Sequence, residues 1–338
     1  MSDQSCIDAL LKLQPYLDGE LSEADAENVL QTLGGVTSAK VLIDIHAPPA
    51  GAGASGVGAT RIEGIKHVLA IASGKGGVGK STVAANLAVA LERTEARVGL
   101  CDCDIYGPSI SLMFGIRDRP TATEENKIIP IEQYNLKLMS MGFLLDDTSP
   151  AVLRGPMVTR YTQQFLRQVE WGELDYLVLD LPPGTGDIAI TISQKMRTTG
   201  AVIVTTPQEV ALQDVYKSVS MAKNVGIQIL GVVENESYFV CDGCEKKHEL
   251  FGSGGGRSVA EFAEAPLLGQ LPLHPAVREW GDAGTPIVQA APDAPIAHAF
   301  LDVARRLAGR VSVENTSRTP AFVIDRSGGK NRHLPIAR

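Results

Sequence analysis

The stretch GKGGVGKST, residues 74–82, follows the apolar run HVLAIAS and leads straight into the helix-forming VAANLAVALE. A strand, a glycine-rich turn written G-x-x-x-x-G-K-[ST] and a helix, in that order, form the context in which such a turn cradles phosphate. Gly74, Gly76, Gly77 and Gly79 let backbone N–H groups turn inward, and Lys80 reaches the outer phosphates. Ser81 is placed to ligate magnesium, and the helix N-terminus adds its dipole. That chemistry needs one lysine. Lys75 is surplus to it and asks for a separate explanation.

The loop implies an α/β chain, and the pattern downstream agrees with it. Short β-branched runs alternate with helical stretches from residue 61 onward, as in a mostly parallel sheet flanked by helices. Strands are expected at 67–73, 97–104, 174–181, 201–207, 228–235 and 267–272, and helices at 80–93, 157–168, 187–196, 212–224, 256–263 and 294–307. The run IIPIEQYNLKLMSMGFL reads as a β-hairpin excursion from that alternation. Residues 47–60, APPAGAGASGVGAT, are almost all Ala, Gly and Pro with small polar residues and read as a linker. They separate a small α+β segment, 1–46, with two expected helices and a strand, from a P-loop domain at 61–310. A loose tail is expected at 311–338.

Composition narrows the function. The chain has 338 residues, 44% hydrophobic and 21% charged, and no apolar run approaches the roughly 20 residues of a membrane span. The first residues carry acids and lack the basic and apolar regions of a secretory signal, so the expected compartment is the cytoplasm, with no membrane partner. A formal charge of -8 argues against a general nucleic-acid binder, whose affinity comes from clustered Lys and Arg. Five cysteines do not make a disulfide framework and point instead to thiols, metal ligands or redox groups.

Two acidic segments complete a nucleotide site. LDYLVLDLPPGTGD is an apolar strand ending in Asp180, suited to hold magnesium through water, followed by a loop (Pro182, Pro183, Gly184, Gly186) placed to feel a γ-phosphate. LCDCDIYGPS offers Asp102 and Asp104 at the end of the second strand; either is placed to orient an attacking water, against a plain strand-end or capping role. CDGC, 241–244, is half of a tetrahedral sulfur site. Zinc completed by His248 and another group, a redox dithiol, or completion by the same pair from a second subunit all remain open. Cys101 and Cys103 read as small apolar strand residues, and the histidines show no ligand spacing.

GKGGVGKST, CDCDIYGPS, RGPMVTRYTQQFLRQVEWGELDYLVLDLPPGTGD, VVENESYFVCDGC and FGSGGG occur in that order over roughly residues 65–308. Together they resemble the Mrp/ApbC family of iron–sulfur cluster carrier ATPases. The resemblance implies a deviant-Walker P-loop ATPase related to MinD, ParA and nitrogenase iron protein. It also implies a homodimer that hydrolyses ATP slowly and carries a 4Fe–4S cluster between the CxxC pairs of its subunits for delivery to apo-proteins. By position, the nucleotide site comprises Gly74, Lys75, Gly76, Gly77, Val78, Gly79, Lys80, Ser81 and Thr82, with Asp180 as the Walker B acid and Asn235 contacting adenine. Ser81 ligates magnesium, and Cys241 with Cys244 ligate the cluster. Lys75 is similar to the signature lysine that crosses the dimer interface, and Asp104 to the water-orienting acid, so these two are the expected catalytic pair. In that reading Lys75 acts in trans, as an arginine finger does.

Two features depart from the family. Residues 1–46 are shorter than its usual MIP18-type N-terminal domain, and Glu236 stands where the family tends to have Met. A positioning ATPase of the MinD or ParA class shares the loop, but needs an amphipathic membrane helix or a basic DNA face. RSGGKNRHLPIAR fits neither. An ATP-dependent ligase on the same fold leaves CDGC idle.

Overall fold

The computed structural model describes residues 61–104, 107–143, 166–184, 197–241 and 243–318. The expectations for 1–46, the linker, the helix at 187–196 and all but the last three residues of 157–168 lie outside them. At the centre is a nine-stranded sheet. Its strands are β1 (Ile65–Ser73), β2 (Val98–Asp102), β3 (Ile131–Gln133), β4 (Leu136–Ser140), β5 (Leu174–Asp180), β6 (Gly200–Thr205), β7 (Ile229–Val240), β8 (Lys247–His248) and β9 (Leu267–Pro272). The order is β3-β4-β2-β5-β1-β6-β7-β8, with β9 also paired to β7. The hairpin β3–β4 and the pair β7–β8 are antiparallel, and all other pairings are parallel. The expected hairpin therefore exists, but it is not an excursion: β4 joins the sheet in register with β2, placing Cys101 beside Met139.

The strands read as unbroken apolar runs because both faces are covered; β5 and β6 are buried at every position. Seven helices are described: α1 (Lys80–Glu92), α2 (Ile110–Met113), α3 (Glu209–Asn224), α4 (Gly255–Ala263), α5 (Pro275–Asp282), α6 (Ile287–Ala290) and α7 (Pro295–Arg318). From β1 the chain crosses through α1 to β2 on one side, and from β6 through α3 to β7 on the other. Right-handed crossovers in opposite directions put α1 and α3 on opposite faces of the sheet. Accordingly α1 packs with α6 and α7, and α3 packs with α4. Helix α1 is buried from Val83 to Leu91, as its all-round apolar composition requires. Helix α7 runs to Arg318, past the end expected near 307. The loops after the carboxyl ends of β1, β2 and β5 converge, which is where ligands bind in sheets of this type.

Among the described residues the core begins at the start of β1, with Ile62 packed against it and Ile65 buried. A chain beginning at Thr60 is therefore expected to stay soluble and bind ATP, as it should if the Ala/Gly-rich 47–60 acts as the linker its composition suggests. Aggregation of that shortened chain in a sedimentation assay would mean that the leading segment packs on the core.

Candidate nucleotide site and cysteine hairpin

The phosphate loop leaves the end of β1 and closes on Gly79, which caps α1 in the left-handed conformation at φ 77°. Glycine is required there twice over: the backbone angle disfavours a side chain, and an added Cβ would lie 2.2 Å from Asn235 Nδ2. Gly74 answers a different constraint, because a Cβ there would lie 2.3 Å from the Val215 nitrogen in α3. The loop is thus wedged between α3 and β7. Asn235 Nδ2 donates to the Val78 carbonyl at 2.9 Å and ties the loop to β7.

Lys80 is the first residue of α1, and its side chain is buried. Its Nζ donates to Asp180 Oδ1 at 2.5 Å and to Ser81 Oγ at 3.4 Å. Asp180 is in place because β5 ends there, opposite Ile71 of β1 and Asp102 of β2. Burial pushes its carboxyl up, against the pull of Lys80 and Ser81. Its Oδ2 is buried without a hydrogen-bond partner. A buried carboxylate oxygen lacking a donor, beside a serine hydroxyl, fits a divalent cation, so Ser81 and Asp180 are the residues that would hold magnesium. Such an ion would neutralise phosphate charge.

The two acids of CDCD, equal candidates by spacing, separate clearly. Asp102 is fully buried and accepts from the backbone N–H groups of Asp104, Ser109 and Ile110 and from the Ser140 hydroxyl. Burial, and then the nearby Asp180, push it up to about 7. It is a structural hub that fixes the loop carrying Asp104. Asp104 is partly exposed and near enough to raise Asp180 electrostatically. Of the two, it is the one free to face a ligand. Lys75 is partly exposed and forms no ion pair among the described residues. After β5, Gly184 donates to the Ser73 carbonyl at 2.9 Å, bringing Pro183 against Gly76; Gly186 lies outside the described residues.

Beyond the loop lies a cavity of about 220 Å³ lined by Gly79, Thr82, Asn235, Glu236, Leu273 and Phe300, among others. It adjoins the start of α1, where the phosphate loop ends, and is the candidate place for a nucleoside. His274, to which the sequence assigned no chemistry, also lines it and caps α5, its Nδ1 accepting from Ala276 N at 3.2 Å.

Strand β7 continues past its expected end at Asn235 to Val240 and turns back through β8. Cys241 and Cys244 sit in that turn, Cys241 half-buried and Cys244 exposed, neither in a disulfide. The turn is closed by Cys241 N donating to the Lys246 carbonyl (3.1 Å) and Glu245 N donating to the Cys241 carbonyl (2.7 Å). Lys247 lies 3.8 Å over the Tyr238 ring and pins the stem. Among the described residues no group of three His, Cys, Asp or Glu side chains is placed to hold a metal, so His248 does not join the two cysteines in a single-chain site. Glu234, which the sequence did not single out, is the buried acid of this region. It accepts from Gly256 N at the start of α4, from the Ser237 hydroxyl and from Gln270 Nε2. Its only signal was the string FGSGGG, whose last glycine leaves room for it: a Cβ at Gly256 would lie 2.6 Å from Glu234 Cβ.

Residues 64–308 match the family described as NUBPL iron-transfer P-loop NTPase. The chain is 51% identical over 252 residues to the iron-sulfur cluster carrier protein of Aquifex aeolicus, covering 73% of this chain and 68% of that one. It is 48% identical over 277 residues to the carrier protein of Pseudomonas fragi (81% and 96%). It is 46% identical over 252 residues to the iron-sulfur cluster transfer protein NUBPL of Mus musculus (74% and 79%). Among solved structures, a nucleotide-binding protein from Archaeoglobus fulgidus in complex with ADP superposes with a TM-score of 0.59 at 38% identity, covering 66% of this chain and 88% of that one. The cell division ATPase MinD of Pyrococcus furiosus superposes at 0.52 and 25% identity (71% and 98%). A phosphate loop wedged between α3 and β7, a buried acid at the end of β5 and a match spanning the whole described sheet lead to one assignment: the chain belongs to the NUBPL iron-transfer P-loop NTPase family.

Proposed function

We propose that the chain binds and transfers 4Fe–4S clusters to apo-proteins in the cytoplasm, with ATP binding and slow hydrolysis in a homodimer. The observation that carries this reading is the course of β7. One strand is tied to the phosphate loop through Asn235 and, six residues later, delivers Cys241, so the two lie within about 20 Å, the most that six extended residues can span. A change at the phosphates therefore has a short route along one strand to the thiols. The carrier and transfer names of relatives at 46–51% identity support the same reading.

Within it, Lys80 and the loop N–H groups hold the phosphates. Lys80 must leave Asp180 to do so, which frees that carboxylate for the metal side of the site. Asp104 orients the attacking water, and Lys75 neutralises charge at the partner's γ-phosphate. The cluster is cargo, held by Cys241 and Cys244 of both subunits and released to a recipient.

Anaerobic reconstitution with ferrous iron and sulfide tests the cargo. Broad visible absorption, with iron and acid-labile sulfide in equal amounts, is expected, and both should be lost in the double variant Cys241→Ser/Cys244→Ser. Protein that takes up zinc stoichiometrically but no sulfide would sink the proposal.

A further inference from the structure

Asn235 and Glu236 are neighbours in β7, yet both line the nucleoside cavity. Successive side chains of a regular strand point to opposite faces, so this arrangement needs an irregularity. Strand β7 has one. Glu236 adopts φ 53°, and the register with β9 shifts between Glu234 and Tyr238. Left-handed backbone is costly for a residue with a Cβ, and such outliers gather at ligand sites. The outcome is a carboxylate at the cavity wall, half-buried and pushed up by desolvation.

Three other polar groups of the cavity wall are engaged. Arg278 donates to Asp282 at 3.0 Å, His274 caps α5, and the Asn235 amide nitrogen is held by the Val78 carbonyl. Glu236 has no hydrogen-bond or ion-pair partner among the described residues.

We propose that Glu236 is a specificity residue that reads the base: its carboxylate accepts from the exocyclic amine of a 6-aminopurine and disfavours a 6-oxopurine, whose O6 would meet it lone pair to lone pair. The inference rests on the nucleotide-binding reading above and deepens it. A carboxylate is an acceptor only, whereas a glutamine amide both accepts and donates. Glu236→Gln therefore leaves a partner for the amine of adenine and creates one for O6.

The test is competition of ATP, ITP and GTP for a fluorescent ATP analogue on the full chain and on Glu236→Gln. The wild type is expected to prefer ATP over ITP by about tenfold or more, the scale of one hydrogen bond to a charged group. The variant should compress that ratio, mainly by binding ITP better. An unchanged ATP-to-ITP ratio in the variant, or a wild type that binds GTP more tightly than ATP, overturns the inference while leaving ATP binding standing. A wild type that binds none of the three overturns both.

Discussion

Lys80→Ala is expected to abolish nucleotide binding, whereas Lys75→Ala should leave binding largely intact and remove hydrolysis. The two lysines stand five residues apart in one loop and differ in everything else. Lys80 is buried, opens α1 and pairs with Asp180, so its removal takes away the cation beneath the phosphates. It also leaves the Asp180 carboxylate uncompensated in the core, a loss that costs about 3–5 kcal/mol when a buried pair is broken from one side. Lys80→Ala on its own could therefore fail by unfolding. The double variant Lys80→Ala/Asp180→Asn separates the causes, because the neutral amide removes the stranded charge. It should regain thermal stability without regaining ATP binding. Lys75 has no partner to strand among the described residues. If it serves the γ-phosphate of a second subunit, its loss should lower the hydrolysis rate by about a thousandfold, the lower end of what an arginine finger supplies, with little change in Kd. Equal loss of binding in Lys75→Ala and Lys80→Ala, measured by calorimetry, would defeat the assignment across the interface.

The sequence exposed these elements unevenly, for physical reasons. The sheet and the long helices were legible because β-branched runs buried on both faces and Ala-rich amphipathic stretches leave strong patterns; β9 falls on the expected residues. Helices α5 and α6 were not, since HPAVREWGD holds no buried residue and α6 is one turn long. The second half of β7 escaped because a run broken by Glu236 reads as a strand end, although a left-handed residue lets the strand absorb the break and continue. For α7 the apolar pattern stops before the helix does, because backbone hydrogen bonding needs no apolar face. The phosphate loop was unambiguous. The division of labour between Asp102 and Asp104 was legible only through the resemblance and not from spacing, since identical residues two positions apart differ only in which one the fold buries among donors. For Lys75 and the cysteine pair, the contacts of one chain hold no partner for the lysine among the described residues and only two of the four thiolates a 4Fe–4S cluster takes.

That last point sets the stoichiometry. Each chain brings Cys241 and Cys244 to one turn, and two thiolates fill half of the four positions of a 4Fe–4S cluster. The described residues offer no third ligand beside them. A limit of one cluster, four irons, per two chains is therefore expected on reconstitution. If the cluster binds the paired state and not the monomer, as proposed, loading should strengthen dimerisation by mass action, which sedimentation at a fixed chain concentration would register. Cys241→Ser or Cys244→Ser should remove both the cluster and the cluster-dependent dimer. ATP binding should survive, since the phosphate loop is held by β1, α1 and Asn235 and not by the turn. The other described cysteines provide the control. Cys101 and Cys103 are fully buried in and just after β2, with their sulfurs 3.9 Å apart. The hydrogen bond to Cys101, with burial, pushes the Cys103 thiol well up, so it is poorly disposed to give the thiolate that iron needs. Cys101→Ser and Cys103→Ser should keep full iron even where they weaken the core. Four irons per single chain, or loss of iron in these two variants as complete as in the CDGC variants, would place the site within one subunit and undo the shared-cluster reading.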